Sequence, residues 1–146
     1  MELMSRVHGA AQRAGRVLVS EGDAELRRLL VDVLRSDGHE VVEIGQGMLV
    51  IEHLARAQAF GRAFDLLVLG LDGRGGGAVG DVLPRIEQHA RPPVVVLTAF
   101  ADEGVARVAF TLGASAVMAK PLDVFELRQL AGSLVERHAR ELALHD

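Results

Sequence analysis

Short apolar runs alternate along the chain with longer segments in which apolar residues recur every three or four positions. Each run is four or five residues long and consists mainly of Val, Leu, Ile and Ala. The runs cover residues 16–20, 40–44, 65–69, 94–97 and 116–119. The last three are apolar almost throughout, which is typical of strands buried on both faces of a sheet. The pattern predicts five β-strands separated by helices.

Capping residues and helical periodicity mark the segments between the runs. Asp23 can cap a first helix, and Gly38 ends it. The apolar residues of this helix lie at helical spacing: Leu26, Leu29, Leu30, Val33 and Leu34. Further helices are predicted from about 48 to 60, from near 81, and from about 102 to 112. A last helix follows Asp123, which forms a capping-box pattern with Glu126.

Strands that alternate with amphipathic helices predict a parallel sheet covered on both faces. Right-handed crossovers then give an α/β, flavodoxin-like (βα)5 fold, which is a doubly wound five-stranded parallel sheet. We expect residues 1–15 to be an N-terminal extension. Residues 16–146 should form one domain with an extended C-terminal helix. Ligands of such folds bind at the carboxyl ends of the strands, here residues 21–23, 70–72, 98–100 and 120–121.

Composition narrows the functional classes. The chain has 146 residues and no Cys, so disulfides and thiolate chemistry are excluded. A net charge of −4 gives no reason to expect a nucleic-acid partner. No apolar run approaches the ~20 residues of a membrane span, and the N-terminus lacks the apolar core of a signal peptide. We expect a cytoplasmic protein that binds neither nucleic acid nor membrane.

One basic residue differs from all the others. Of the 16 basic residues, only Lys120 is a lysine, and it stands directly before Pro121. A compact ammonium on a thin stem fits where a planar guanidinium does not. Lys120 is therefore a candidate site residue.

Four motifs at the predicted strand ends resemble the receiver domain of response regulators in two-component signalling, over residues 16–138. The first is an apolar strand followed by an acidic cluster, and the last is a Gly-Ala-Ser turn that leads into Lys-Pro. The motifs are Val17-Leu18-Val19 before residues 21–23, Phe64-Asp65-Leu66-Leu67-Val68-Leu69, Val96-Leu97-Thr98-Ala99, and Gly113-Ala114-Ser115 with Lys120-Pro121.

The resemblance implies a role for six positions. They are an acidic pair that helps to hold magnesium, an Asp nucleophile, a hydroxyl, an ammonium and an aromatic switch residue. In this chain the acidic pair falls on Glu21 and Gly22, and the nucleophile falls on Gly70. The hydroxyl falls on Thr98, the ammonium on Lys120 and the switch residue on Val117. Only Glu21, Thr98 and Lys120 keep the required chemistry.

The missing groups predict an atypical receiver. An aspartyl phosphate needs a carboxylate nucleophile, and Gly70 has no side chain. Without Asp at 22 or 70, magnesium binding should be weak or absent, and we expect no catalytic residue, metal or other cofactor. Lys120 should pair with Glu21 and fill the empty pocket.

The expected function is therefore phosphorylation-independent protein–protein interaction in a two-component or phosphorelay pathway, with no enzymatic activity. The resemblance implies that signalling partners bind at the face of the fourth helix, fifth strand and fifth helix. The apolar residues that continue along the last helix suggest a homodimer or a partner helix.

Two alternatives remain open from the sequence. Asp72 lies two residues beyond Gly70 and could act as an unorthodox phosphoacceptor. The segment from Gly75 to Gly80 matches G-x-G-x-x-G and could serve a flavodoxin-like nucleotide- or cofactor-binding domain. That segment follows the third strand, however, whereas a dinucleotide fingerprint follows the first.

Overall fold

The structure is a computed structural model that describes residues 13–71, 83–86, 92–99 and 103–144. All five predicted strands are present. They are β1 Arg16–Ser20, β2 Glu40–Ile44, β3 Leu66–Gly70, β4 Val94–Thr98 and β5 Ala116–Ala119. Strand β3 begins and ends one residue later than predicted, and β4 extends to Thr98, because backbone pairing continues onto both of these terminal residues. The sheet therefore includes Gly70 and Thr98, two of the candidate site residues.

The five strands form one parallel sheet in the order β2-β1-β3-β4-β5. This order confirms the predicted doubly wound, flavodoxin-like architecture. The register pairs Ser20 with Leu69, Gly70 with Leu97, and Thr98 with Ala119. The carboxyl ends of four strands therefore lie at the same edge of the sheet.

Helices cover both faces of the sheet. Their bounds are α1 Ala24–Ser36, a 3₁₀ turn Gly47–Leu49 that leads into α2 Val50–Ala59, α4 Glu103–Thr111 and α5 Val124–Leu144; of α3, the structure describes residues 83–86. The predicted Asp23 cap is confirmed, since Asp23 Oδ1 accepts hydrogen bonds from the backbone N–H groups of Glu25 and Leu26. Gly38, with a φ of +94°, ends α1 in a conformation that favours glycine.

Alternate residues of β1 point into two separate cores. Leu18 belongs to a cluster that β3 and β4 share with α2, α3 and α4. Val17 and Val19 belong to a second cluster, completed by α1 and α5, in which Leu30 and Leu127 are fully buried. This two-sided burial explains why the strands are apolar throughout.

The amino-terminal edge of the sheet is fixed by a buried histidine. The backbone N–H of Gly15 donates a hydrogen bond to Nδ1 of His39 at 3.0 Å, and His39 is buried. Beside it, the N–H of Arg16 donates to Oδ2 of Asp65 at 2.8 Å. These bonds join the start of β1 to the residues that precede β2 and β3.

Three of the predicted features lie outside the described residues. Asp72 and the segment from Gly75 to Gly80 belong to that part of the chain, as do residues 1–12 of the predicted extension. Within the described ranges, no helix combines the length and hydropathy that crossing a membrane requires.

Candidate functional site

The candidate site lies where β1, β3, β4 and β5 end. The sheet register brings Glu21, Gly70, Thr98 and Lys120 to the same edge, and the N–H of Lys120 donates to the carbonyl of Thr98 at 3.0 Å. Four of the six predicted positions are therefore neighbours. The other two, Gly22 and Val117, occupy the β1–α1 loop and β5, respectively.

A buried ion pair occupies the centre of the site. Nζ of Lys120 donates to Oε1 of Glu21 at 2.8 Å, which confirms the predicted pairing. The other oxygen of Glu21, Oε2, accepts the backbone N–H of Asp23 at 2.9 Å. The side chains of Glu21 and Lys120 are only 3% and 12% exposed, respectively. Both oxygens of this carboxylate are therefore engaged, and solvent hardly reaches them.

The carboxylate of Glu21 lies against Gly70, in the space where a side chain at position 70 would begin. A Cβ built on Gly70 would overlap Oε1 of Glu21 and lie 2.8 Å from its Cδ. Real Cβ atoms do not approach other heavy atoms so closely. The sequence predicted that Lys120 pairs with Glu21 but not that Glu21 fills the position of the missing side chain.

An arginine beside the site was missed in the sequence. Nη1 of Arg27, on α1, donates to the carbonyl of Glu21 at 2.7 Å, and its Nε donates to Glu43 at 3.3 Å. A Cβ on Gly45 would lie 3.0 Å from the same Nη1. Arg27 therefore joins the loop after β1 to the end of β2. The signal in the sequence was its place one helical turn after the Asp23 cap.

The remaining predicted positions differ in their surroundings. Thr98 is buried, with 2% of its surface exposed. Val117 is partly buried, pairs in register with Val96 and packs against the α2–α4 core. Gly22 is exposed, and the nearest atom to a Cβ placed there is the carbonyl oxygen of Gly45 at 3.9 Å. A side chain therefore has room at position 22 but not at position 70.

The response regulator receiver domain model matches residues 17–131, which is most of the chain and includes every site position. The chain belongs to the response regulator receiver domain family. Its fold is thus that of a receiver domain of two-component response regulators.

Curated relatives from two bacteria agree with this assignment. The chain is 32% identical to the transcriptional regulatory protein PdtaR of Mycobacterium tuberculosis over 113 residues, which are 77% of the chain and 52% of PdtaR. It is 35% identical to the response regulator protein FleR of Pseudomonas aeruginosa over 127 residues, 86% of the chain and 25% of FleR. The chain thus spans about half of PdtaR and a quarter of FleR.

Solved structures agree on the fold. A signal receiver domain from Vibrio parahaemolyticus superposes with a TM-score of 0.80 at 21% identity, covering 92% of this chain and 99% of that domain. At this identity the likeness concerns the fold alone.

Proposed function

We propose that this receiver domain is a phosphorylation-independent protein–protein interaction module of a two-component or phosphorelay pathway, acting in the cytoplasm and without enzymatic activity. The observation that carries the proposal is the carboxylate of Glu21, which lies against Gly70 and is bound to Lys120. The place from which a nucleophile would attack is filled by a group that is already neutralised.

The chemistry of phosphoryl acceptance supports this proposal. Aspartyl phosphate forms when a carboxylate attacks the phosphodonor, and Gly70 offers none. Glu21 is no substitute, because it is buried and both of its oxygens already accept hydrogen bonds. The domain therefore signals through a surface that is always presented.

The residues present do not fit a magnesium ion. Magnesium is usually held by one or two carboxylates together with water and phosphate oxygens. Glu21 is the single carboxylate among positions 21, 22 and 70, and Lys120 places an ammonium 2.8 Å from its Oε1. An ammonium at that distance competes directly with a dication. We therefore propose that the domain works without a bound metal.

The partner surface that we propose comprises α4, β5 and α5. Strand β5 is at the edge of the sheet. On α4, Val108 is 50% and Phe110 is 51% exposed. Exposed apolar side chains mark an interface when they form part of a contiguous patch. Helix α5 continues beyond its last buried residue, Val135, to exposed Leu142 and Leu144. This apolar segment at the end of α5 favours a homodimer or a partner helix.

The test of phosphorylation independence uses the unaltered chain. Incubation with acetyl phosphate and magnesium should give no phosphoryl adduct by intact-mass spectrometry at neutral pH. Beryllium fluoride with magnesium should leave the melting temperature unchanged. An active receiver domain treated in parallel provides the positive control. A labile adduct that disappears in Asp72→Asn would contradict the proposal and support Asp72 as the acceptor.

A further inference from the structure

We infer that Glu21 is an internal anion that closes the phosphoryl site, and that Gly70 and Glu21 form a coupled pair: residue 70 tolerates a side chain only when residue 21 is shortened. The inference deepens the proposed function and rests on it. It also assigns a ligand class, because the space that the Glu21 carboxylate occupies beside Gly70 is one that a small oxyanion would fill.

The coupling follows from what holds Glu21 in place. A flexible carboxylate on the surface would swing away from a new Cβ at position 70. The Glu21 carboxylate is buried, and leaving its place breaks the bonds from Nζ of Lys120 and from the N–H of Asp23. The carbonyl oxygen of Ser20 lies 3.3 Å from the same Cβ, so a shift towards β1 offers little relief. A methyl group at position 70 therefore displaces a satisfied, buried charge.

The donors around Glu21 define the ligand class. An ammonium on Lys120 and a backbone N–H on Asp23 converge on one carboxylate. If the carboxylate is removed by Glu21→Ala, the space beside Gly70 keeps the same donors for a small oxyanion. Hydrogen bonds to an ionised group are stronger than hydrogen bonds between neutral groups. Formate matches the lost carboxylate in charge and geometry and is the probe of choice.

The first experiment is a double-mutant cycle measured by thermal unfolding. Gly70→Ala should lower the melting temperature by roughly 5 °C, as overpacking of a filled site does in a domain of this size. The same change made in a Glu21→Asp or Glu21→Ala background should cost less than half as much. In a Glu21→Gln background, which keeps the size of side chain 21, Gly70→Ala should lower the melting temperature by the full amount. The matched control is Gly22→Ala, where the space is open and no loss is expected.

The second experiment tests the anion site with formate. Formate at ~0.1 M should raise the melting temperature of Glu21→Ala by a few degrees. It should leave the original chain and Glu21→Gln unchanged, with sodium chloride at equal ionic strength as the control. If the falls in melting temperature of the single variants add up to that of the double variant, residues 70 and 21 are not coupled. If formate raises the melting temperature of all variants equally, the anion site is wrong. If Glu21→Ala does not fold, the cycle with Glu21→Asp still decides the coupling.

Failure of this inference and failure of the proposed function are distinguishable. A phosphoryl adduct on the original chain would contradict the proposed function, whatever the melting temperatures of the variants. A Gly70→Ala variant as stable as the original chain would contradict the coupling, even if the original chain accepts no phosphoryl group.

Discussion

Lys120 and Glu21 lie 99 positions apart in the sequence, yet their side chains meet at 2.8 Å between Nζ and Oε1. Lys120 follows the last strand and Glu21 follows the first, and in the sheet the ends of β3 and β4 lie between them. The contact crosses above Gly70, which has no side chain to obstruct it. The absence of a side chain at residue 70 thus leaves room for an ion pair between the two sides of the site.

Removing only one member of this pair should destabilise the fold. Lys120→Met leaves the buried carboxylate of Glu21 without its ammonium, and breaking a buried pair in this way costs about 3–5 kcal/mol. The double variant Lys120→Met with Glu21→Gln should recover most of that loss, because no uncompensated charge remains. Urea unfolding measures both values. Equal stabilities of Lys120→Met and the original chain would show that the pair contributes nothing.

The same variant separates structure from recognition. If Lys120 is structural, Lys120→Met should keep its affinity for a partner at temperatures where the variant is folded. Unchanged stability together with lost binding would instead place Lys120 in the partner surface.

Stability should fall on mild acidification because of His39. Burial lowers the pKa of His39 below its ordinary value of 6.5, and the carboxylates of Asp37 and Asp65 oppose this effect only in part. The unfolded chain then binds the proton more readily than the folded chain. The contribution of neutral His39 is complete above pH 6.5 and is lost as the pH falls towards the lowered pKa. Protonation of Nδ1 would also remove the acceptor for the N–H of Gly15.

Denaturant unfolding between pH 7.5 and 5.5 tests this dependence. The free energy of unfolding should decline more steeply for the original chain than for His39→Gln, which cannot acquire the charge. Parallel curves for the two proteins would assign the pH dependence to other groups.

A bidentate pair should hold the end of α1 against α5. Nε and Nη2 of Arg128 donate to the two carboxylate oxygens of Asp37 at 2.9 and 2.6 Å. Because Arg128 is 47% exposed, we expect Arg128→Ala to cost only about 0.5–1 kcal/mol, and less at high salt. Arg128→Lys should lose most of the same energy because lysine lacks the planar fork.

Arg56 provides the matched control for Arg128. Its pair with Glu52 is exposed and lies within one helix, so Arg56→Ala should cost at most about 0.5 kcal/mol. A loss for Arg56→Ala as large as that for Arg128→Ala would mean that the link between helices adds no stability.

The end of α5 should matter for assembly and not for folding. The last buried residue of the helix is Val135, and Leu142 is about half-exposed. Leu142→Asp, or deletion of residues 138–146, should shift sedimentation velocity towards the monomer and leave the melting temperature within ~2 °C. Arg140→Ala on the same segment is the control. Identical sedimentation of Leu142→Asp and the original chain at all concentrations would place the interface elsewhere.

The sequence predicted the sheet better than the site. Strand burial on both faces leaves an apolar run that is visible in the sequence, and the bounds of β1, β2 and β5 agree with the prediction. Strand β3 was placed one residue early because Gly70 has no apolar side chain, although its backbone pairs with Leu97 like any other. The apolar pattern in the sequence depends on side chains, whereas strand pairing depends on backbone hydrogen bonds, which glycine also forms.

The pairing of Lys120 with Glu21 was predictable because both charges end parallel strands. The overlap of Glu21 with position 70 was not, since it depends on the rotamer that a long side chain adopts beside an empty position. The bonds from Arg27 to the Glu21 carbonyl and from Gly15 to His39 also depend on tertiary geometry. The place of Arg27 one turn after the Asp23 cap puts it near this loop, but it does not identify the carbonyl that Arg27 binds.

The ion pair across the site also bears on how slowly the domain unfolds. Lys120 can reach Glu21 only after β1, β3, β4 and β5 have taken their order, so the contact requires the most distant parts of the chain to be in place. We expect it to form after the rate-limiting step of folding. Its loss in the Lys120→Met variant should then accelerate unfolding and leave the folding rate nearly unchanged in stopped-flow experiments. A slower folding rate would place the pair in the folding nucleus. The lifetime of the folded domain would in this way depend on Glu21 and Lys120, two residues of the strand-end site.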